Sequence, residues 1–295
     1  MPLAPSNGLD IWYETFGDPD DVPLLLVMGL SAQATAWDAD LCQIFVDRGF
    51  FVIRFDNRDV GLSTKIESPQ IDFASEIAKA FTGGEPDAPY RLSDMAADAV
   101  GLLDHLDIET AHIVGASMGG MIVQQIAVDF PQRVLSLTSI MSTTGDSDVG
   151  APNPDAMAAL LRPPAASRDE AIEASVETSK IIGSPTYFDE DEVRTRAAAA
   201  YDRSFYPAGV GRQLLGILAS PSRTDALRKV KVPALVIHGA VDPLVTVSGG
   251  RRTAEVIPGA EYLEIDDMAH DLPRQLWPVI VEAITRNVAK VGHTA

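Results

Sequence analysis

Hydrophobic residues alternate between two habits along this chain. Short, continuous apolar runs of about six residues are followed by longer stretches with helical spacing. Pro23 to Met28, Phe50 to Phe55, Ile113 to Val114, Val134 to Ile140 and Ala234 to His238 are runs expected of strands buried on both faces. Ala260 to Ile265 reads as a further strand. Between them, Thr35 to Val46, Leu92 to Leu103 with Ser93 as N-cap, Met121 to Ile126, Ser248 to Ile257 and a segment through Val279, Ile280, Ala283 and Ile284 read as helices. Asn7-Gly8 is a two-residue hairpin signal ahead of Leu9 to Thr15, and Pro131 stops the helix before it. Residues 64 to 90 are less regular, broken by Gly83, Gly84, Pro86 and Pro89. Alternating strands and helices predict an α/β fold with a mostly parallel sheet and helices on both faces.

The alternation lapses from about Gly145 to Arg228. That part is Ala-rich and helix-like, interrupted by prolines, with no strand run. It reads as a helical cap, residues 145–228, inserted into a core made of residues 1–144 and 229–295.

Composition narrows the function. The 295 residues are 46% hydrophobic, enough for a sizeable core. A net charge of −19 repels nucleic-acid and anionic membrane surfaces. The one cysteine, Cys42, sits in a helical segment and reads as packing. No basic and apolar leader pattern is visible, and the most apolar run, Val22 to Leu30, is too short to span a bilayer, so a soluble cytoplasmic protein without a membrane anchor is expected. No Walker or dinucleotide fingerprint and no metal-ligand spacing is present, so no cofactor and no metal are expected. Homo-oligomer formation is left open.

The stretch Thr110 to Ala127 carries the chemistry. A short strand turns through Gly115-Ala116-Ser117-Met118-Gly119 into a helix, the context of a Gly-x-Ser-x-Gly nucleophile elbow. A serine hydroxyl needs a base. Of five histidines, His105 is mid-helix, His112 starts the strand at the far end from the elbow, and His293 is in the tail. Only His238 and His270 follow strands at their carboxyl ends, where groups gather in open α/β sheets.

Five segments in order resemble the alpha/beta-hydrolase superfamily: Val27 to Leu30, Phe55 to Ser63, Val114 to Gly120, Ile237 to Asp242 and Met268 to His270. More narrowly, the chain is similar to aclacinomycin methylesterases and related bacterial carboxylesterases and lipases. The resemblance implies an alpha/beta-hydrolase fold with an eight-stranded sheet, and hydrolysis of a small-molecule carboxylic ester through an acyl-enzyme. In that arrangement the acid and then the base follow the serine along the chain. His270 fits as base and Asp242 as acid. Asp266 and Asp267 are rivals too close to His270, and Asp271 reads as a capping or solvent-facing residue. The oxyanion donors would be the backbone N–H groups of Leu30 and Met118. Met28 stands where many relatives have His. Asp56, Arg58, Gly61 and Ser63 read as a structural polar turn. Leu30, Met118, Met141, Tyr187, Phe188, Phe205 and Tyr206 are candidate substrate-binding walls, favouring apolar or aromatic esters. The same serine arrangement also suits a cofactor-free haloperoxidase (perhydrolase) or a C–C bond hydrolase. A non-catalytic ligand-binding module is a further alternative.

Overall fold

The buried strand runs are assembled in one sheet. The computed structural model describes residues 2–67 and 71–293. The strands are β1 (Leu3–Ser6), β2 (Leu9–Phe16), β3 (Val22–Val27), β4 (Phe50–Phe55), β5 (Ala111–Ala116), β6 (Val134–Ile140), β7 (Ala234–Gly239) and β8 (Glu261–Ile265). Their order across the sheet is β1-β2-β4-β3-β5-β6-β7-β8. β2 runs antiparallel to β1 and to β4, and the strands from β3 to β8 are parallel. Asn7 and Gly8 turn the first hairpin with φ of 49° and 78°, the positive pair that a type I′ turn requires.

The period of two along each strand explains the two cores. Leu25, Val27 and Ile113 face one side, and Leu24, Leu26, Val114 and Ala116 face the other. On the same side as Leu25 pack the helices α3 (Leu92–His105) and α4 (Met118–Asp129). On the opposite side pack α1 (Ala39–Val46) and α11 (Trp277–Ala289). α10 (Val247–Val256) packs on β7 and β8.

Between β6 and β7 lies the helical insertion: α5 (Pro154–Leu160), α6 (Arg168–Ile182), α7 (Glu190–Arg203), α8 (Pro207–Leu218) and α9 (Thr224–Leu227), with no strand among its described residues. No helix among the described residues is long and apolar enough to cross a membrane.

Three local expectations need correction. The helix read from Thr35 begins at Ala39, because Asp38 caps it by accepting the Asp40 N–H at 2.8 Å, after a separate short turn at Ala34–Ala36. Ser93 lies inside α3. The flanking residue is Arg91, whose N–H is accepted by the Asp94 carboxylate at 2.8 Å. The irregular region hides α2 (Phe73–Phe81), which buries no residue and whose Phe73 ring rests where Gly211 of α8 leaves room.

Candidate active site

The elbow forms because two glycines let three backbones meet. A Cβ on Gly115 would stand 2.1 Å from the Gly119 carbonyl oxygen, and one on Gly119 would stand 2.1 Å from the Val27 carbonyl oxygen. Real side chains never come so close, so any other residue would push α4 off the sheet. At the apex Ser117 has φ 57° and ψ −120°, a conformation that an L-residue holds only when its surroundings impose it. Those surroundings are its N–H donating to the Ile140 carbonyl at 2.9 Å and its carbonyl accepting from Ser142 Oγ at 2.8 Å.

Ser117, His270 and Asp242 come from three separate loops and meet. His270 Nε2 lies 2.9 Å from Ser117 Oγ, and His270 Nδ1 lies 2.8 Å from Asp242 Oδ2. An ionised carboxylate only accepts, so Nδ1 carries the hydrogen and Nε2 is left to accept the serine proton. Burial alone would raise the Asp242 carboxyl. The charges and hydrogen bonds of His270 and His238 overcome that and hold it at about 2.

Asp242 also makes the turn that its place before Pro243 suggests. Its Oδ1 accepts the N–H groups of Leu244 and Val245 at 2.9 and 3.0 Å, while Oδ2 faces His270. One oxygen builds the turn and the other orients the ring.

His238, the other strand-end histidine, is engaged elsewhere. It is fully buried, its Nε2 lies 2.7 Å from the Val245 carbonyl, and the same nitrogen is 3.5 Å from Asp242 Oδ2. It is more than a polar strand end beside Gly239. It holds the loop that carries the acid.

The loop after β3 lies against the nucleophile. A Cβ on Gly29 would be 3.0 Å from Ser117 Cβ and 3.4 Å from its Oγ. Asn57 Nδ2 donates to the Met28 carbonyl at 2.9 Å, and the Ser31 N–H donates to Gln213 Oε1 at 3.0 Å. Met118 is the first residue of α4, where helix geometry leaves its N–H without an intrahelical acceptor.

Asp271 is not a solvent-facing residue. It accepts from the Ser184 N–H at 3.1 Å and from Ser184 Oγ, and burial pushes its carboxyl up. The His270 N–H donates to the Ile182 carbonyl at 2.9 Å. The insertion thus grips the loop on which the histidine rides.

The polar turn after β4 is structural and tied to the insertion. Asp56 accepts the Ala34 and Leu62 N–H groups, each at 2.7 Å, and pairs with Arg203 of α7 at 2.7 Å. Ser63 Oγ donates to the Asp56 carbonyl at 2.6 Å, and a Cβ on Gly61 would overlap the Asp56 carboxylate. Arg58 grips Asp98 with two bonds, at 2.6 and 2.7 Å. Arg212 of α8 grips Asp59 at 2.9 and 2.8 Å. Cys42 is packing. It is buried, and desolvation pushes its thiol up to about 12.

The proposed substrate walls divide into two groups. Met141 is buried with Met28 and Ala116 on the sheet, Tyr187 packs on the same cluster, and Leu30 and Met118 belong with the opposite cluster. Phe188 lies under the Lys180 ammonium at 5.6 Å. Phe205 is 43% exposed and stacks on Tyr201 at 4.6 Å. The Tyr206 hydroxyl accepts from Arg212 at 2.9 Å, and its ring carries Arg212 and Lys65. The resolved contacts of Phe205 and Tyr206 are therefore with the insertion and the β4 turn.

Sequence reading missed Ser184, Gln213 and the buried partnership of His238 with the acid loop. Ser184 and Gln213 act across long sequence separations and carry no local motif, whereas the partners of His238 lie four and seven residues on. For His238, its place four residues before an Asp-Pro turn at a strand end was the available signal.

A half-buried serine at a strand-to-helix elbow, facing a histidine and a carboxylate at the carboxyl edge of this sheet, defines the alpha/beta hydrolases. The chain belongs to that family: the alpha/beta hydrolase fold matches residues 22–273. Its relatives include rhodomycin D methylesterase DnrP of Streptomyces peucetius, 33% identical over 96% of each chain. They also include 3-oxoadipate enol-lactonase 2 of Acinetobacter baylyi, 27% identical over 93% of this chain and 92% of the relative. Among solved structures, Est816, an N-acyl homoserine lactone degrading enzyme, superposes with a TM-score of 0.69 at 27% identity, over 97% of this chain and 99% of that one. The enol-lactonase from Burkholderia xenovorans superposes with a TM-score of 0.72 at 22% identity, over 98% and 99%, and speaks for the fold alone. The likeness to DnrP agrees with the methylesterase-like resemblance read from the motifs.

Proposed function

We propose that the protein is a serine carboxylic ester hydrolase. The observation that carries this reading is the unbroken hydrogen-bonded line from Ser117 Oγ through His270 to Asp242. His270 Nε2 removes the Ser117 proton as Oγ bonds to the ester carbonyl carbon, whose π electrons move to oxygen. The N–H groups of Leu30 and Met118 hold that oxyanion. Collapse breaks the bond to the alcohol oxygen, which takes the proton from His270. Water then attacks the acyl-enzyme, gives its proton to the same nitrogen, and releases the acid as Ser117 recovers its hydrogen. Asp242 stays ionised and stabilises the imidazolium.

In this reading residues 145–228 act as a cap over the core, and the ester enters between the two. Leu30, Met118, Met141, Tyr187 and Phe188 are its apolar walls. Phe205, stacked on Tyr201, and Tyr206, bonded to Arg212, extend these walls along the insertion. Esters with an apolar or aromatic part fit such walls. The relative DnrP is a rhodomycin D methylesterase, which makes methyl esters the first series to assay. The charge of −19 disfavours nucleic acid as a partner and suits a cytoplasmic enzyme.

The test is Ser117→Ala with a fluorophosphonate probe. Wild type is expected to label at Ser117 and to turn over p-nitrophenyl esters. The variant is expected to do neither while keeping its fold, and turnover retained in Ser117→Ala refutes the reading. The relative BpoC of Mycobacterium tuberculosis, 26% identical, is a putative non-heme bromoperoxidase, so the products are also to be compared with and without peroxide.

A further inference from the structure

We infer that Gln213, on α8 of the insertion, is a positioning residue for the oxyanion hole. The inference rests on the esterase reading, and it adds to it a residue far from the chemistry in sequence. Gln213 is fully buried, and both ends of its amide are used. Oε1 accepts the Ser31 N–H at 3.0 Å, and Nε2 donates to the Arg58 carbonyl at 2.8 Å. The second bond fixes which way the amide faces, so the oxygen is presented to Ser31.

The loop it holds is short and strained. Ser31 has φ 65°, in the left-handed region that a serine holds only when its surroundings impose it. Asn57 holds the other end through the Met28 carbonyl at 2.9 Å. Gly29 and Leu30 are the span between these two clamps, and this span lies against the nucleophile, since a Cβ on Gly29 would stand 3.0 Å from Ser117 Cβ. A peptide plane held at both ends cannot rotate freely, so the Leu30 N–H keeps its aim. With Gln213 truncated, Ser31 loses its acceptor and the left-handed kink loses one of its supports. The Leu30 N–H then aims with less constraint at a charge that exists only in the transition state. Such a loss lowers kcat and leaves ground-state binding in place.

The experiment is Gln213→Leu and Gln213→Glu beside wild type. Melting curves establish that each is folded at the assay temperature, and the kinetics are read as separate kcat and KM values. Gln213→Leu is expected to lose roughly ten- to a hundredfold in kcat with KM within about threefold. It should slow fluorophosphonate labelling of Ser117 in the same proportion. Gln213→Glu keeps an acceptor for Ser31 and should keep more of kcat than the leucine variant. An unchanged kcat, or a loss confined to KM, overturns the inference and makes Gln213 a docking residue of α8 only.

Amide NMR of the wild type tests the same point if the variants do not fold. The Ser31 N–H should exchange slowly before and after phosphonylation, and the Leu30 N–H should shift on phosphonylation. A freely exchanging Ser31 N–H overturns the clamp. A wild type that labels with the probe but hydrolyses no ester fails the functional reading alone, because labelling rates still report on Gln213.

Discussion

Ser184 brackets His270 from the insertion. Its Oγ accepts the Ala269 N–H at 2.8 Å and donates to the Asp271 carboxylate, one residue to either side of the histidine. Ser184 is fully buried, so neither bond is replaced by bulk water. Ser184→Ala leaves the Ala269 N–H without its acceptor and removes one donor from Asp271. The expected cost is about 1–3 kcal/mol of stability. A fall of roughly tenfold in kcat should accompany it as the ring loses its aim. Urea unfolding and steady-state kinetics measure the two. A variant as active and as stable as wild type would show that the loop stands without Ser184.

The acid can be tested without disturbing its shape. Asp242→Asn keeps the turn through Leu244 and Val245 but offers His270 Nδ1 no ionised acceptor. A kcat lower by about 10⁴ is expected, from the wrong tautomer. The same carboxylate gives a pH dependence to stability. Its folded value, about 2, lies below the ordinary 3.8. Its contribution is therefore complete above the unfolded value and is lost as pH falls from about 3.8 through about 2, some 2–3 kcal/mol in all. The difference between wild type and Asp242→Asn in acid titrations of the unfolding midpoint reads this out.

A second pH effect lies at the other end of the sheet. His112 is buried with Nδ1 2.7 Å from Ser136 Oγ, and burial lowers it from 6.5 to about 4. The folded state holds it neutral while the unfolded chain takes up a proton. Stability should therefore decline as pH falls from about 6.5, with the loss complete below about 4, at roughly 3 kcal/mol. His112→Gln should flatten that part of the wild-type curve. Parallel curves from pH 7 to 4 would mean that His112 has no share in it.

The two strand-end histidines should separate cleanly in kinetics. His270→Gln is expected to lose turnover by about 10⁴ or more. His238→Gln can still donate toward the Val245 carbonyl and should stay within about tenfold of wild type. Equal losses in the two variants would overturn the assignment of the base.

Gly29 offers a steric probe of the oxyanion loop. Gly29→Ala brings a methyl group to 3.0 Å from Ser117 Cβ, tight enough that the loop or the serine must give by tenths of an ångström. Unfolding should change little, and kcat should fall about tenfold or more. Thermal melts beside phosphonylation rates test the pair of statements.

Much of this was legible in the sequence because it is local. Continuous apolar runs gave β3 to β7, since a strand covered on both faces has no polar side to show. Ser117, Asp242 and His270 could be named because each lies in a short loop after a recognisable strand and the resemblance to alpha/beta hydrolases supplies their order along the chain. The start of α1 was misplaced because Trp37 and the Ala-rich turn before it keep an apolar rhythm that only the Asp38 cap interrupts. α2 escaped notice because it is short and followed at once by the breakers Gly83, Gly84, Pro86 and Pro89, although Phe73, Ile77 and Ala80 form a half-buried face at helical spacing. Gln213 and Ser184 were invisible for a different reason: glutamine on a helix and serine before proline are common, and their meaning comes from partners 182 and 85 residues away.

The insertion reaches the core through Gln213 at one catalytic loop and through Ser184 at the other. Chimeras that trade residues 145–228 between relatives to change substrate preference would trade those two anchors as well. Such grafts should lose turnover in proportion to the anchors they omit, and restoring a glutamine and a serine at these two places should recover it before any pocket residue is altered.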